Sequence, residues 1–436
     1  MNKSIKFLKK ETFFDNCVLV FVCIYLISEF RGHLTAIKSI SFIGAYLFFI
    51  LDYLITKEKI CLNFRRYFKT YKLIIIIALV FCIIMLIISL FPYSNNVKVS
   101  SFTLTLRYIK RPLFFMLLML FWFDGAKIKS YIIFYSVIFS FLWLSLDYSI
   151  NLWNPQNFTT MLDINNGDDR MVSREYAGEF DLYFPFLFLG AIICANKILK
   201  SFFIVCIFVT LFMILLTGAR GSWLAVVSMF LVVGIILFKC NKSFLTAIKN
   251  KKTIFICIMI FICISIFAIF NSDMLKSRFK QGLDGSGRMQ ILELRLPLII
   301  NSNRAFWGLG YGKEQYINFL HDHSQKIGEL GVNGGKDELG RYRYFHDEPL
   351  IIGQYYHSGV LGAFMLAILI LYMFFKSIKM YISTSNLLFL ALCGSIVSSF
   401  IVRGFFENYL TPQIILFVSF FIAFDFQNRQ KTTQNE

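Results

Sequence analysis

The sequence predicts an all-α polytopic membrane protein with about twelve transmembrane helices. Of its 436 residues, 57% are hydrophobic and only 16% are charged, and 52 are phenylalanine. The mean hydropathy is +0.65. This is more apolar surface than one soluble core could bury. A run of about 17–25 mostly apolar residues suffices to cross the hydrocarbon as a helix. Twelve such runs are visible, at 13–30, 34–55, 73–92, 111–125, 130–153, 179–196, 201–217, 222–238, 253–270, 349–375, 385–402 and 411–426.

The distribution of Lys and Arg predicts the orientation of these spans. With the N-terminus inside, the predicted cytoplasmic segments hold 23 of these residues and the short outer loops hold 9. Both termini are therefore expected in the cytoplasm and the long segment 271–348 outside. The same rule accounts for the net charge of +18, which thus gives no reason to expect a nucleic-acid partner.

The chain divides into three parts on this interpretation. Residues 1–270 form spans one to nine, 271–348 form an outer loop domain, and 349–436 form spans ten to twelve with a cytoplasmic tail. The outer segment is polar but rich in aromatic residues, which are sparse in disordered segments. It also holds three of the five histidines, so we expect it to be functional. Two of them, His321 and His323, are spaced for one face of a strand, although a metal site is little favoured there.

One predicted outer loop is basic, although few Lys and Arg residues are expected on the outer side of the membrane. Arg107, Lys110 and Arg111 are spaced three and four residues apart, which places them along one face of a helix at the membrane surface. There they could attract anionic head groups or a phosphorylated lipid. The alternative is that they only extend their charged ends to the interface.

An arginine lies between the seventh and eighth predicted spans, in Thr217-Gly-Ala-Arg-Gly-Ser-Trp223. A charge there is costly unless it reaches water or an anion. Gly218 and Gly221 allow a tight turn and close approach to a ligand. Ser222 is of a type that starts helices, so free backbone N–H groups would face the same anion as Arg220. The alternative is a structural arginine that caps the neighbouring helix.

Several motifs, taken in order, resemble the bacterial O-antigen ligase family. They are Thr217-Gly-Ala-Arg-Gly-Ser-Trp-Leu-Ala225, Gly287-Arg288, Trp307-Gly-Leu-Gly-Tyr-Gly312, His346 and Gly359-Val-Leu-Gly362. The stretch Ile401-Val-Arg-Gly-Phe-Phe-Glu407 resembles the enteric lipopolysaccharide ligases in particular. The resemblance covers roughly residues 180–426. It implies a GT-C-like membrane glycosyltransferase whose long periplasmic loop lies between helices 9 and 10.

The resemblance also implies a reaction. Such an enzyme transfers a finished O-antigen glycan from undecaprenyl diphosphate to an outer-core sugar of lipid A-core, at the periplasmic face of the inner membrane. It needs neither nucleotide nor metal, so no cofactor is expected.

Roles for individual residues follow from the resemblance and suit their chemistry. Arg220 and Arg288 would bind the diphosphate through forked, always-charged donors. His346 would act as general base on the acceptor hydroxyl. Asp347 and Glu348, which follow it, would orient its imidazole or cap the next helix. Arg403 and Glu407 would pair with each other as part of the structure or help to bind phosphate.

Two other functions remain open from the sequence. An O-antigen polymerase shares the carrier lipid and the membrane fold but uses another lipid-linked glycan as acceptor, and the stretch 403–407 favours the ligase. A lipid-glycan flippase or transporter would place charges along a path through the membrane and show repeated halves. No internal repeat is visible in this sequence.

Overall fold

The computed structural model describes residues 2–29, 34–95, 97–152, 174–240, 288–327, 349–407 and 411–426. Across these ranges every regular element is a helix, which confirms the all-α class. The elements are α1 (Asn2–Glu29), α2 (Thr35–Ser89), α3 (Ser101–Trp122), α4 (Lys127–Leu152), α5 (Arg174–Ile193), α6 (Lys197–Leu216), α7 (Arg220–Cys240), α8 (Arg288–Ile300), α9 (Lys313–Ile327), α10 (Leu350–Thr384), α11 (Leu387–Ser395) and α12 (Thr411–Ala423). A π-helix (Ile396–Val402) and a 3-10 turn (Arg403–Phe405) continue α11.

Seven helices of the described part are long and apolar enough to cross a membrane, judged by length and composition. This agrees with a polytopic membrane protein. The helices that satisfy this criterion are α2, α4, α5, α6, α7, α10 and α11 with its extension, and the apolar stretch of α12 is shorter. The predicted span 253–270 lies outside the described residues, so the count of twelve stays a prediction.

Two boundaries differ from those expected. The predicted loop 56–72 is helical: α2 continues through it, with non-helical φ and ψ only at Thr56 and Tyr71. Two predicted spans are therefore joined by a bent helix. Helix α3 begins at Ser101, between the predicted spans 73–92 and 111–125, because the Ser100 side chain accepts a hydrogen bond from the N–H of Thr103 at 3.3 Å.

The core contains many phenylalanine rings packed against one another. Phe186 of α5 packs edge-on against Phe417 and Phe420 of α12, with ring centroids 6.2 and 6.0 Å apart. Such aromatic pairs contribute about 0.5–1.5 kcal/mol each beyond their buried area. Of the candidate spans, α5 and α11 with its extension are the most enclosed by other helices. Any charged side chain on these two must therefore find its partner inside the protein.

Helix α10 breaks at Ser358 and Gly359, and a glycine-rich loop fills the break. Gly359 has φ +63°, and the N–H groups of Leu309 and Gly310 donate to the carbonyls of Tyr356 and His357 at 2.7 and 3.0 Å. A Cβ on Gly308 would lie 2.5 Å from the Gly359 nitrogen. Gly308 of the loop and Gly359 of α10 are therefore required by backbone packing, because a side chain on either residue would collide with the other segment where the two cross.

Helices α8 and α9 form a small polar-faced unit that packs on the chain after α2. The Gln315 amide bonds both backbone groups of Ser94, accepting from its N–H at 2.8 Å and donating to its carbonyl at 2.7 Å. The Tyr93 hydroxyl donates to Asp322 at 2.6 Å. Burial raises the pKa of Tyr93 to about 12, and the Asp322 carboxylate makes a smaller contribution in the same direction. The described part of the predicted loop domain is therefore folded and anchored to the first half of the chain.

Candidate functional site

Some of the site residues predicted from the sequence lie outside the described residues, and the others lie on helices of the structure. His346, Asp347 and Glu348 lie outside the described residues. Arg288 is the first residue of α8. The remaining ones lie on α3, at the start of α7 and on the turn that follows α11, and the structure shows what surrounds them.

Arg403 is the centre of a buried polar network. Only 2% of its side chain is exposed. Its Nη1 donates to Asp181 Oδ2 at 2.8 Å and to Ser222 Oγ at 2.5 Å, and its Nη2 donates to Glu407. The Ser222 hydroxyl in turn donates to Asp181 Oδ2. Three separate segments of the chain, α5, α7 and the turn after α11, are joined by this one guanidinium.

The backbone before Arg403 is unusual in a way that suits this network. Residues Ile396–Val402 form a π-helix, which is rare and is frequently found at functional sites. Ser398 of this stretch donates to the Asp181 carbonyl oxygen, so the π-helix is bonded to α5 as well. The i, i+4 pair of Arg403 and Glu407 weighed from the sequence is present, but it is one part of a larger arrangement.

Asp181 was missed by the sequence analysis. It is fully buried and carries two direct contacts of the network. The signal that could have revealed it is an acid at the start of the apolar run of α5, two residues after Glu179, because such a residue is expensive in a membrane and is usually functional or paired. Its partner, Arg403, lies 222 residues further along the chain, beyond the reach of any local pattern.

The start of α7 differs from the expectation, yet it lies beside the same network. The helix begins at Arg220, not at Ser222. The Thr217 hydroxyl oxygen accepts from the N–H of Ala219 at 3.2 Å, and Gly218 supplies the turn with φ +61°. Ser222 is not the cap, since its hydroxyl is committed to Asp181 and Arg403.

Two more contacts bring predicted motifs together around the turn 403–407. A Cβ on Gly221 would lie 3.3 Å from the Phe406 ring, so α7 approaches this turn closely. A Cβ on Gly404 would lie 3.2 Å from Leu350 Cδ2, so the first residue of α10 touches the same turn. Arg220 itself is half-buried. The start of α7, the start of α10 and the turn after α11 therefore share one location.

The basic residues of α3 are split between two environments. Arg107 and Lys110 are exposed. Arg111 is half-buried: its Nη2 donates to Ser39 Oγ at 3.2 Å, and its Nη1 lies 3.9 Å from Glu29 Oε2. Of the three, only Arg111 reaches into the helix bundle.

The other histidines that the structure describes, His321, His323 and His357, lie in structural surroundings. His321 and His323 lie on helix α9, not on a strand, so a spacing of two points them to different sides. His323 Nδ1 lies 2.7 Å from the Phe319 carbonyl oxygen. His357 packs against Tyr311, with ring centroids 4.7 Å apart. Within the described ranges there is no group of three or more His, Cys, Asp or Glu that could hold a metal ion.

Comparison with known families supports the resemblance drawn from the motifs. Residues 205–333 match a family model described as O-antigen ligase. The matched segment includes Arg220, Arg288 and the glycine-rich loop 307–312, and it ends before His346. The match supports the O-antigen ligase family and, with it, a glycosyltransferase-like enzyme of the ligase or polymerase type that acts on polysaccharide and lipid-linked substrates. A comparison with curated proteins finds no match.

Proposed function

We propose that this member of the O-antigen ligase family transfers O-antigen polysaccharide from undecaprenyl diphosphate to lipid A-core. The reaction would take place at the periplasmic face of the bacterial inner membrane, with both termini of the chain in the cytoplasm. The family match and the order of the motifs support the reaction class. The excess of Lys and Arg in the predicted cytoplasmic segments supports the orientation.

The observation that carries the proposal is that the start of α7 and the start of α10 meet at the turn 403–407. Arg220 begins the helix that packs on Phe406, and Leu350 packs on Gly404. His346 precedes Leu350 by four residues, and four extended residues span at most about 14 Å. The chain therefore keeps the proposed base within about 14 Å of Leu350, and Leu350 touches the turn that contacts the start of α7. We propose that a single substrate contacts both.

Arg220 is well placed to hold the donor's diphosphate. It lies in the first turn of α7, where the helix dipole favours an anion. A guanidinium adds forked, charge-assisted hydrogen bonds to phosphate oxygens. Arg288, at the start of α8, would supply a second set from the outer unit. Together they would stabilise the charge that grows on the diphosphate as it leaves.

His346 would act on the acceptor. In the proposed step, the oxygen of a core-sugar hydroxyl attacks the anomeric carbon of the glycan, and the bond from that carbon to the diphosphate oxygen breaks. The hydroxyl proton passes to the His346 imidazole, whose ordinary pKa suits this transfer near neutral pH. Asp347 or Glu348 would orient the ring. Undecaprenyl diphosphate leaves with the bonding electrons, so the step needs no further reactant.

Arg403 has a different task in this scheme. Its guanidinium already binds Asp181, Ser222 and Glu407. Ser222 is two residues from Arg220, so the network fixes the start of α7. Arg403 is therefore a positioning residue, and Asp181 and Glu407 hold it in place.

The ligase and polymerase functions are distinguished in cells that lack the protein. A missing ligase leaves undecaprenyl-linked O-antigen of normal length distribution, while lipid A-core carries no O-antigen. Gel separation of lipopolysaccharide, together with analysis of the extracted carrier lipids, measures both. Loss of the long polymer with single repeat units still attached to core would contradict the ligase and establish the polymerase.

A further inference from the structure

Helix α2 doubles back through a connector, which we define as residues 57–72. The helix bends at Thr56 and at Tyr71, the two residues with non-helical φ and ψ. The apolar stretches on either side of the connector, 34–55 and 73–92, are each long enough to cross the hydrocarbon. Two successive spans that are joined by a short segment cross the membrane in opposite directions, so the connector lies at one membrane surface.

The connector lies at the end of the bundle away from the unit formed by α8 and α9. That unit is bonded through Gln315 to Ser94, which precedes the start of α3. The connector is bonded to the other end of α3, where Asn63 donates to the carbonyl oxygen of Trp122, the last residue of the helix, at 3.5 Å. In the orientation predicted from Lys and Arg, this end faces the cytoplasm.

One face of the connector packs against the protein. The Tyr67 hydroxyl donates to the carbonyl oxygen of Asp425, beyond α12, at 3.3 Å. Lys376, toward the far end of α10, donates to the Thr70 carbonyl oxygen at 3.3 Å. The buried residues recur every three or four positions, as expected of one helix face, and are Ile60, Asn63, Tyr67 and Tyr71. These contacts fix which side of the connector faces outward.

The outward side of the connector is strongly cationic. Arg65, Lys69 and Lys72 are exposed and are spaced four and three residues apart, so they form one row along the helix, which we call the basic stripe. None of them forms an ion pair with a residue that the structure describes. Over the whole connector, six Lys and Arg residues stand against one acid, Glu58. The positive charge of this surface is therefore balanced by very little of the connector itself.

An apolar flank lies between the buried face and the basic stripe. Phe64 and Phe68 are half-buried and stacked, with ring centroids 5.4 Å apart. Phe68 is one helical turn from Lys72, and the exposed Cys61 is one turn from Arg65. Apolar side chains beside a row of Lys and Arg are typical of helices that lie in the membrane interface. An acidic protein would need only the charges, so the flank favours lipid as the occupant.

We propose that the basic stripe binds anionic lipid headgroups at this membrane surface. The long cationic side chains extend to the headgroups, while Phe64 and Phe68 stay at the level of the acyl chains. The site is separate from the proposed donor site. Leu350, the first residue of α10, touches the turn 403–407, whereas the connector is bonded to Lys376 toward the other end of that helix. The proposal does not depend on which glycan the protein transfers.

Native mass spectrometry of the purified full-length protein in detergent tests the site. Anionic phosphatidylglycerol and zwitterionic phosphatidylcholine with the same acyl chains are titrated separately, and the first binding step is compared. We expect the wild type to bind phosphatidylglycerol more tightly. Arg65→Gln, Lys69→Gln and Lys72→Gln combined should weaken this step by at least about tenfold, since each Lys or Arg beside anionic lipid contributes about fivefold. Binding of phosphatidylcholine should not change.

The matched control removes the same charge from exposed lysines on three separate helices, α6, α7 and α10. It combines Lys197→Gln, Lys239→Gln and Lys379→Gln, and it should bind phosphatidylglycerol as the wild type does. Glu58→Gln removes the acid of the connector and should strengthen binding, which keeps the test decisive if the stripe variant does not fold.

Two results would overturn the proposal. The first is equal affinity of the wild type for the two lipids, or an equal loss of phosphatidylglycerol binding in the control, because either would mean that the stripe has no special role. The second is unchanged phosphatidylglycerol binding in both the stripe variant and Glu58→Gln, which would point to an acidic protein as the occupant.

Discussion

Replacing His346 by alanine is expected to lower the rate of glycan transfer by about 10²- to 10⁴-fold, the usual contribution of a positioned proton acceptor. Binding of the undecaprenyl-linked donor should stay nearly unchanged, because the proposed base acts on the acceptor hydroxyl. Arg220→Ala should behave in the opposite way and weaken donor binding as well as turnover. Arg220→Lys should retain only part of the donor binding that Arg220→Ala loses, since a single ammonium cannot make the forked contact with phosphate.

Donor binding and transfer are measured separately with the same purified variants. His321→Ala is the matched control, because His321 lies on α9, in the polar-faced unit of α8 and α9, and has no role in the proposed reaction. It should transfer glycan at the wild-type rate. A folded His346→Ala protein that transfers glycan at near the wild-type rate from pH 6 to 9 would remove His346 from the mechanism.

Replacing Arg403 by methionine should produce the largest loss of stability. The change leaves Asp181 fully buried with no counter-ion, and removal of one partner from a buried ion pair costs about 3–5 kcal/mol. Thermal unfolding in detergent measures this loss. Because Ser222 loses a partner two residues from Arg220, the KM for the donor should also rise in whatever fraction remains folded.

A double substitution separates the ion pair from simple packing. In Asp181→Asn combined with Arg403→Met, the fully buried carboxylate of Asp181 is no longer left without a counter-ion, so part of the lost stability should return. Arg107→Met is the matched control, because Arg107 is exposed on α3 and its loss should change the unfolding temperature little. An Arg403→Met protein that unfolds at the wild-type temperature would contradict the role given to the network.

Local pattern was sufficient to predict the class of the protein and most of its helices. Apolar runs define α4, α6 and α7 closely, because a membrane requires each spanning helix to be continuously apolar. The same rule failed between the second and third predicted spans. Lysines and arginines there indicated a loop, but charged residues form helices readily outside the hydrocarbon, and α2 continues through them.

The candidate site was predictable only where its residues share a short motif. Arg220 was found through its glycine neighbours, and the glycines of 307–312 were noticed but not explained. Their reason is the backbone contact between Gly308 and Gly359, which joins distant parts of the chain. Asp181 and Ser222 show the same limit. Their own helices do not indicate a common partner, and only the fold brings both to Arg403.

The most direct test of the central claim is reconstitution of the transfer itself. Purified protein is incubated with undecaprenyl diphosphate-linked O-antigen and lipid A-core, and the lipid A-core is then examined by gel electrophoresis and mass spectrometry. We predict that O-antigen becomes covalently joined to lipid A-core and that undecaprenyl diphosphate is released in equal amount. Release of undecaprenyl diphosphate with the glycan joined only to another lipid-linked glycan, leaving the lipid A-core unmodified, would contradict the claim.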